Sequence, residues 1–365
     1  MLESSRASRD TGRDMAIPCV VFPEALDCAQ SGLRPLARVL PLQALFYRPV
    51  YRRVLRRSWR LGDALRQWGI RAYGSTWNDL LPGWDEARIL RALPRSGAPF
   101  PVHFIFGEFA APRRVASYHR RGARVVVSVH CSARRWDSVW LRPDGYAQAD
   151  LVVLTSESQR PHVARHVPPE RIRTILHGVV ADYFSPPAPR APRAGKFRMF
   201  MLGDTERDHE FAAQVAARLP ADKFEWRIRT VSHEKSFYAG ISCVNLLPRL
   251  TDAEMLEEYR QADVLAMPML DSAANNVLLE SMACGTPVLT NRVGGVPEYV
   301  APESNFVLSN DRNVEEWVAK LLELEQNRDA AERRRPAVRA WAEKFDWKLI
   351  AADYQAAYRD VLARG

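Results

Sequence analysis

Twice along this chain, short runs rich in Val, Ile, Leu and Phe alternate with longer stretches of helical period, and a proline-rich segment separates the two series. Such alternation closes most simply as a parallel sheet covered by helices, because parallel neighbours need a crossover long enough to hold a helix. The first series places strands at residues 17–22, 101–106, 124–130, 150–155 and 173–176; the second places them at 197–202, 224–231, 242–246, 264–267, 288–290 and 306–308. Between them, Ser185-Pro186-Pro187-Ala188-Pro189-Arg190-Ala191-Pro192 carries four prolines in eight residues, which removes backbone donors and favours an extended, semi-rigid connection. The pattern predicts an α/β fold of two doubly wound parallel-sheet domains: 16–184, a linker over 185–195, then 196–343, with a terminal helical segment over 344–365. Residues 1–15, polar and charged, are expected to be a disordered start.

The length, 365 residues, is more than one core usually organises and fits two domains. With 47% hydrophobic and 26% charged residues there is apolar material for both cores, and a disordered tail is excluded. Cys19, Cys28, Cys131, Cys243 and Cys284 stand far apart without a repeated spacing, so a disulfide framework or structural zinc site is not expected; they read as reduced, mostly buried thiols. No window approaches eighteen uninterrupted apolar residues, and a soluble cytoplasmic protein is expected.

Charge divides the chain as the linker does. Residues 1–190 hold 29 Arg and Lys against 16 Asp and Glu, net +13, whereas residues 191–365 hold 23 against 27, net −4, together the +9 of the whole chain. Open parallel sheets bind ligands beyond the carboxyl ends of their strands, so two facing domains create a cleft where chemistry is expected. Residues just after the predicted strands are therefore candidates: His130, Ser156, Glu157, His177, Gly203, Arg249 and the stretches 269–276 and 291–295.

The richest segment is 262–300. A buried strand ends at Met267-Pro268, and a polar loop containing Asp271 and Ser272 leads to a helix that Asn275 or Asn276 can cap. Free N–H groups and the helix dipole at that start suit a phosphate. Glu280 lies one turn further, where its carboxylate could accept two ribose hydroxyls; Cys284-Gly285-Thr286-Pro287 stops the helix, and Gly294-Gly295 lets the backbone approach a ligand closely.

Taken in order, Leu279-Glu280-Ser281-Met282-Ala283-Cys284-Gly285-Thr286-Pro287-Val288 followed by Val293-Gly294-Gly295-Val296-Pro297-Glu298 resembles the nucleotide-sugar-binding signature of the retaining GT-B glycosyltransferases of group 1, often called family four. The likeness extends to His177-Gly178-Val179 with Phe184, to residues 244–263, more loosely to 127–130 and 149–157, and to Phe345-Asp346-Trp347 with the helix after it, which resembles a terminal helix crossing back to the first domain. The resemblance implies a GT-B fold with an acceptor-binding first domain and a nucleotide-sugar-binding second domain. It further implies transfer of a sugar from a nucleotide diphosphate to a lipid-linked, polysaccharide or small-molecule hydroxyl acceptor, with retention of anomeric configuration and no cofactor beyond the donor.

Breaking the anomeric bond leaves negative charge on the diphosphate, which needs preorganised positive potential. No Asp-x-Asp pair occurs, so no metal is expected; the helix start and arginines are. The family's Gly-Arg and later Lys have no direct counterpart: Gly203 is followed by Asp204, His209 stands at the Lys position, and Arg207 or Arg249 remains to carry the charge. Likewise Ser272, with Asp271 beside it, stands where the family has a sugar-contacting Glu. The resemblance places Val277, Gly294 and Gly295 near the donor and His130 beside the reacting sugar or acceptor, with His177 also on that side; Glu298 is expected to brace the following turn.

Between residues 48 and 68 the apolar Val50, Tyr51, Val54, Leu55, Trp59, Leu61, Leu65 and Trp68 recur at helical spacing, with seven arginines (48, 52, 53, 56, 57, 60 and 66) largely opposite. This reads either as a core helix with a solvated arginine face or as a contact for an anionic membrane surface or charged acceptor. Nucleic acid, the rival attracted by the same charge, has no recognition motif here and is not expected. A sugar-nucleotide epimerase or a non-catalytic sugar-nucleotide binder of the same fold are the alternative functions.

Overall fold

A computed structural model describes residues 18–23, 35–40, 42–47, 50–95, 98–187, 195–231 and 233–364. The expected disordered start (1–15), Arg48, Cys28 and most of the proline-rich linker lie outside these residues. Two six-stranded sheets, all of whose pairings are parallel, form the two domains.

The first sheet runs β2-β1-β3-β4-β5-β6, with β1 Cys19–Pro23, β2 Gln43–Tyr47, β3 Phe100–Phe104, β4 Ala123–Val129, β5 Leu151–Leu154 and β6 Ile172–Thr174. Strand β2 carries no clear β signal in the sequence and was absent from the expected set; it is the edge strand, paired only with β1. The second sheet runs β12-β11-β10-β7-β8-β9, with β7 Phe197–Leu202, β8 Phe224–Arg229, β9 Val244–Leu246, β10 Val264–Ala266, β11 Val288–Asn291 and β12 Phe306–Leu308. Strand order therefore reverses between β7 and β10, the place where such a sheet leaves a crevice at its carboxyl edge.

Two of the three cores belong to these sheets, and the third is built by the end of the chain. In helix Trp347–Ala363 the buried residues Trp347, Ile350, Ala351, Tyr354, Ala357, Tyr358 and Val361 fall on one face and share a core with Val20, Val126 and Val153 of the first sheet and with Ile105 and Ile175 just past its strands. Beneath them His103 bridges Tyr358 Oη at 2.8 Å and Ser128 Oγ at 2.7 Å; burial depresses its pKa to about 3, so the ring is neutral. Backbone bonds from Val179 N–H to Phe345 O (2.8 Å) and from Trp347 N–H to Val179 O (3.1 Å) lock the crossover in place. The last helix thus ties the end of the chain to the first domain and holds the two sheets against a common cleft.

Cys19, Cys131, Cys243 and Cys284 are free and buried, in agreement with the reduced thiols expected.

Candidate functional site

A cleft of about 340 Å³ opens at the carboxyl ends of the central strands of both sheets. Its second-domain wall is the switch point of the sheet. From β10 the loop of residues 267–275 crosses over to helix Asn276–Ala283, and Asn275 caps that helix by accepting the Val277 N–H at 3.0 Å. The opposing loop after β7 is pinned to it by bonds from Asp208 N–H to Pro268 O (2.9 Å) and from Leu270 N–H to Glu206 O (2.9 Å).

That pinning sets the position of Arg207. Its guanidinium donates to Leu202 O (3.2 Å), Thr205 O (2.6 Å) and Asn275 Oδ1 (3.2 Å), and it lies over Gly203, whose φ of +96° favours glycine. Three of the five N–H groups of an arginine are thus engaged, and two remain to meet an anion at the helix start. Burial lowers the Arg207 pKa to about 10, leaving it cationic at neutral pH. Glu280 lines the cleft one turn along the helix, and its carboxylate accepts a hydrogen bond from Tyr259 Oη at 2.8 Å.

Asp271 and Ser272 are buried in the same wall. Asp271 faces the other domain: Oδ2 accepts the Arg134 N–H at 2.8 Å and Oδ1 its neighbour Ser272 N–H at 2.8 Å. The turn containing Gly294 and Gly295 closes on this loop from behind. A Cβ on Gly294, whose φ is +45°, would sit 2.1 Å from Asp271 Oδ1, and one on Gly295 would sit 2.2 Å from Ala273 O. Gly294→Ala is therefore expected to lower stability by about 1–3 kcal/mol and to displace the Asp271 loop, read as a lower melting point together with weaker nucleotide binding. Unchanged melting and affinity in that variant would show that the close approach carries neither.

The first-domain wall comes from the ends of β3 and β4. His130 follows β4, its ring 4.5 Å from that of Phe106 and 6.4 Å from that of His177. Beneath it lies Glu108, fully buried, whose Oε1 accepts the backbone N–H of His130 and that of Cys131 at 2.8 Å. Burial alone would raise the Glu108 pKa, but His130 and the backbone donors outweigh it and hold the carboxyl below its usual range. Its Oε2 has no hydrogen-bond partner and stands 3.9 Å from His130 Nδ1; both ring nitrogens of His130 are likewise buried without one. His177 lines the cleft at the hinge side. Its backbone N–H donates to Tyr299 Oη (2.8 Å), which donates in turn to Thr155 O (2.5 Å), while burial first and then His130 lower the ring's pKa to about 3.

Glu298 does not face the cleft lining. It braces the domains, accepting from Ser156 Oγ at 2.5 Å and Glu157 N–H at 3.0 Å. Arg249 does not line the cleft: it is exposed in the turn between β9 and helix Asp252–Gln261. His209, at the position the resemblance gives to a Lys, is held by Tyr238 Oη (2.7 Å) and Gly203 O (2.9 Å) and steadies the loop.

Several cleft residues escaped the sequence reading. Glu206 adopts a left-handed backbone (φ +61°) and pairs across the cleft with Arg134 (3.2 Å) and Arg135 (3.6 Å). Arg135 also lies over the ring of Trp77 at 5.1 Å. Glu108 was findable by the rule that found His130, since it lies just past a strand end; Trp77 and Glu206 carried no local signal.

Residues 196–327 match the family model of the glycosyl transferases group 1. Among curated proteins, the D-inositol 3-phosphate glycosyltransferase of Mycolicibacterium smegmatis is 32% identical over 60% of this chain and 55% of that protein. Its counterpart in Saccharomonospora viridis is 31% identical over 60% and 57%. The chain thus spans about half the length of these curated relatives. Among solved structures, a glycosyltransferase from Rickettsia africae matches with a TM-score of 0.67 at 13% identity, covering 96% of this chain and 100% of that one. Sucrose-phosphate synthase from Thermosynechococcus elongatus gives 0.60 at 17% identity over 73% and 74%. These likenesses, with the two parallel sheets, establish the GT-B fold.

Proposed function

Residues 196–327 belong to the glycosyl transferases group 1 family, and from that premise we propose that this chain moves a sugar from a nucleotide-diphosphate sugar to a hydroxyl acceptor with retention of anomeric configuration. The observation that carries the reading is the convergence of Arg207, the capped start of helix Asn276–Ala283 and Glu280 on one wall of the cleft. An anion there meets the positive end of the helix dipole and a guanidinium with two donors to spare, and a ribose would meet the Glu280 carboxylate.

In the proposed reaction the acceptor oxygen bonds to the anomeric carbon on the face from which the diphosphate departs. The bond from that carbon to the diphosphate oxygen breaks, and the leaving oxygen takes the acceptor's proton. Arg207 and the helix start would stabilise the charge that develops on the diphosphate, which is the electrostatic role such a step requires. Of the acidic groups of the cleft, Glu206 is held by Arg134 and Arg135 and Asp271 by backbone N–H groups, and the reading relies on cationic and amide donors rather than a divalent ion. His130 and His177 line the side from which an acceptor would enter.

Thermal-shift titration with uridine, guanosine and adenosine diphosphates and their sugar conjugates tests the donor site, because a ligand that binds only the folded form raises the melting point. One nucleotide class is expected to do so. Incubation of the same protein with labelled conjugates, with and without inositol 3-phosphate and other polyol acceptors, is expected to yield a glycosylated product. Epimerised donor instead of transfer product, or binding with neither, would replace the proposal by an epimerase or a non-catalytic binder.

A further inference from the structure

The arginine-rich stretch does not form one core helix. It folds as a hairpin of Val50–Leu55 and Trp59–Tyr73, broken at Arg56-Arg57-Ser58, where Ser58 caps the second helix. That helix turns its glycines inward: a Cβ on Gly62 would meet Leu55 Cα at 2.5 Å, and one on Gly69 would meet Leu80 O at 2.5 Å. Close backbone approach on this side, with Ile70 and Tyr73 buried, rotates the larger apolar residues away from the core.

As a result Leu55 (37%), Trp59 (72%), Leu61 (54%) and Trp68 (45%) are exposed, which gives this one hairpin four of the large exposed hydrophobics among the described residues. Leu61, Ala64 and Trp68 share one side at i, i+3 and i+7, bordered by the exposed Arg60 and Arg71. Across the break, Arg53, Arg56, Arg57, Ser58, Val54 and Leu61 line a recess of about 670 Å³. Arg52 is paired with Asp79 at 2.9 Å and Arg66 stands 3.5 Å from Asp63, but none of Arg53, Arg56, Arg57 and Arg60 has an ion-pair partner among the described residues. A surface helix with uncompensated arginines is ordinary; one that also exposes two tryptophans and two leucines leaves that apolar area in water.

We propose that this hairpin docks on an anionic lipid bilayer, with Leu61 and Trp68 entering the interface and Arg53, Arg56, Arg57 and Arg60 meeting the phosphates. Indole rings and arginine stems favour the boundary between headgroups and hydrocarbon, and cationic side chains are attracted to anionic headgroups. The aliphatic Leu55 and Leu61 decide against nucleic acid, whose backbone offers them nothing apolar to bury against. No helix among the described residues is long and apolar enough to cross a membrane, so the contact lies on the surface. The loop leaving the second helix carries Trp77 into the cleft wall beside Arg135, so the hairpin adjoins the cleft.

Co-sedimentation with phosphatidylcholine vesicles, with and without phosphatidylglycerol, tests the proposal. The protein is expected to bind only the anionic vesicles, with a blue shift of tryptophan emission. Each arginine near such a surface is worth roughly a fivefold change in partition, so R53E/R56E/R57E, which removes three attractive charges and adds three repulsive ones, is expected to weaken binding by more than about a hundredfold. L61S/W68S should bind more weakly and lose the blue shift. Both variants should keep the wild-type melting point and nucleotide affinity, which separates this surface from the donor site whatever the fate of the proposed reaction. Equal binding to neutral and anionic vesicles, or none, overturns the proposal. So does a salt-sensitive RNA shift that R53E/R56E/R57E abolishes while vesicle binding persists, or a fall in oligomeric mass in L61S/W68S, which would make a second copy the occupant.

Discussion

Arg207→Ala is expected to reduce turnover by about 10²- to 10³-fold, the usual consequence of removing a preorganised donor aimed at developing negative charge. Affinity for a nucleoside diphosphate should fall by roughly tenfold to a hundredfold with it, because the lost hydrogen bonds are charge-assisted. The expectation rests on geometry. The guanidinium is fixed by Leu202 O, Thr205 O and Asn275 Oδ1 before any ligand arrives, so little ordering is required on binding. Arg207→Lys should recover only part of the loss, since one ammonium cannot reproduce a fork held at three points. Arg249→Ala is the matched control and should leave affinity unchanged, because Arg249 is exposed outside the cleft.

The same arginine gives a pH dependence. Burial lowers its pKa from 12.5 to about 10. A cation whose folded pKa lies below its unfolded value costs the folded state stability in full at every pH below the folded pKa, and the cost shrinks as pH rises from there toward the unfolded value. A bound diphosphate offsets that cost only while the group is charged. Calorimetric titration should therefore show diphosphate affinity declining as pH is raised through about 10 in the wild type but not in Arg207→Ala. Equal affinity in Arg207→Ala and wild type at neutral pH would remove Arg207 from the donor site.

His130→Ala is expected to lower turnover about a hundredfold while leaving donor affinity close to the wild-type value. Glu108 is the positioning residue behind it. With Oε1 accepting the backbone N–H groups of His130 and Cys131, Oε2 stands 3.9 Å from Nδ1 and favours the imidazole form that carries a proton there, with Nε2 the unprotonated nitrogen. Glu108→Gln keeps an amide-accepting oxygen and removes the charge, so it should fold, lower kcat by roughly tenfold to a hundredfold and change the pH–rate profile, with KM for the donor little altered. A residue of purely structural importance would change the melting point without moving that profile. The sign of the stability term is also fixed. The Glu108 carboxyl lies below its usual value of 4.5 in the folded state, so its contribution is present above that value and is lost as pH falls through the folded pKa. Glu108→Gln should lack this loss on acid unfolding. Full turnover in His130→Ala would remove both residues from the reaction.

Much of the donor wall was legible because its parts are adjacent in the chain. The Asn275 cap, Glu280 one turn on, and the Gly285 stop are local signals, and each strand of the second sheet was placed by an apolar run a few residues long. Edge strand β2 was not, since a short strand paired on one side needs no strong β signal. Nor was the outward rotation of the Trp59–Tyr73 helix: apolar spacing shows that a helix has a face, but Gly62 and Gly69 packing against Leu55 and Leu80 decided which face went inside.

By itself the sequence determined two doubly wound α/β domains, the separation of charge between them, and the order of chemical groups along the loop and helix that end β10. Only the tertiary structure decided which of those groups share a space. It put Arg207 against Asn275 and left Arg249 outside, set Glu108 beneath His130, and joined Arg134 to Asp271 across 137 residues of chain. Periodicity and capping are properties of neighbouring residues and survive in one dimension. A cleft between two sheets is made by contacts between segments far apart in the chain, and these exist only once both cores have closed.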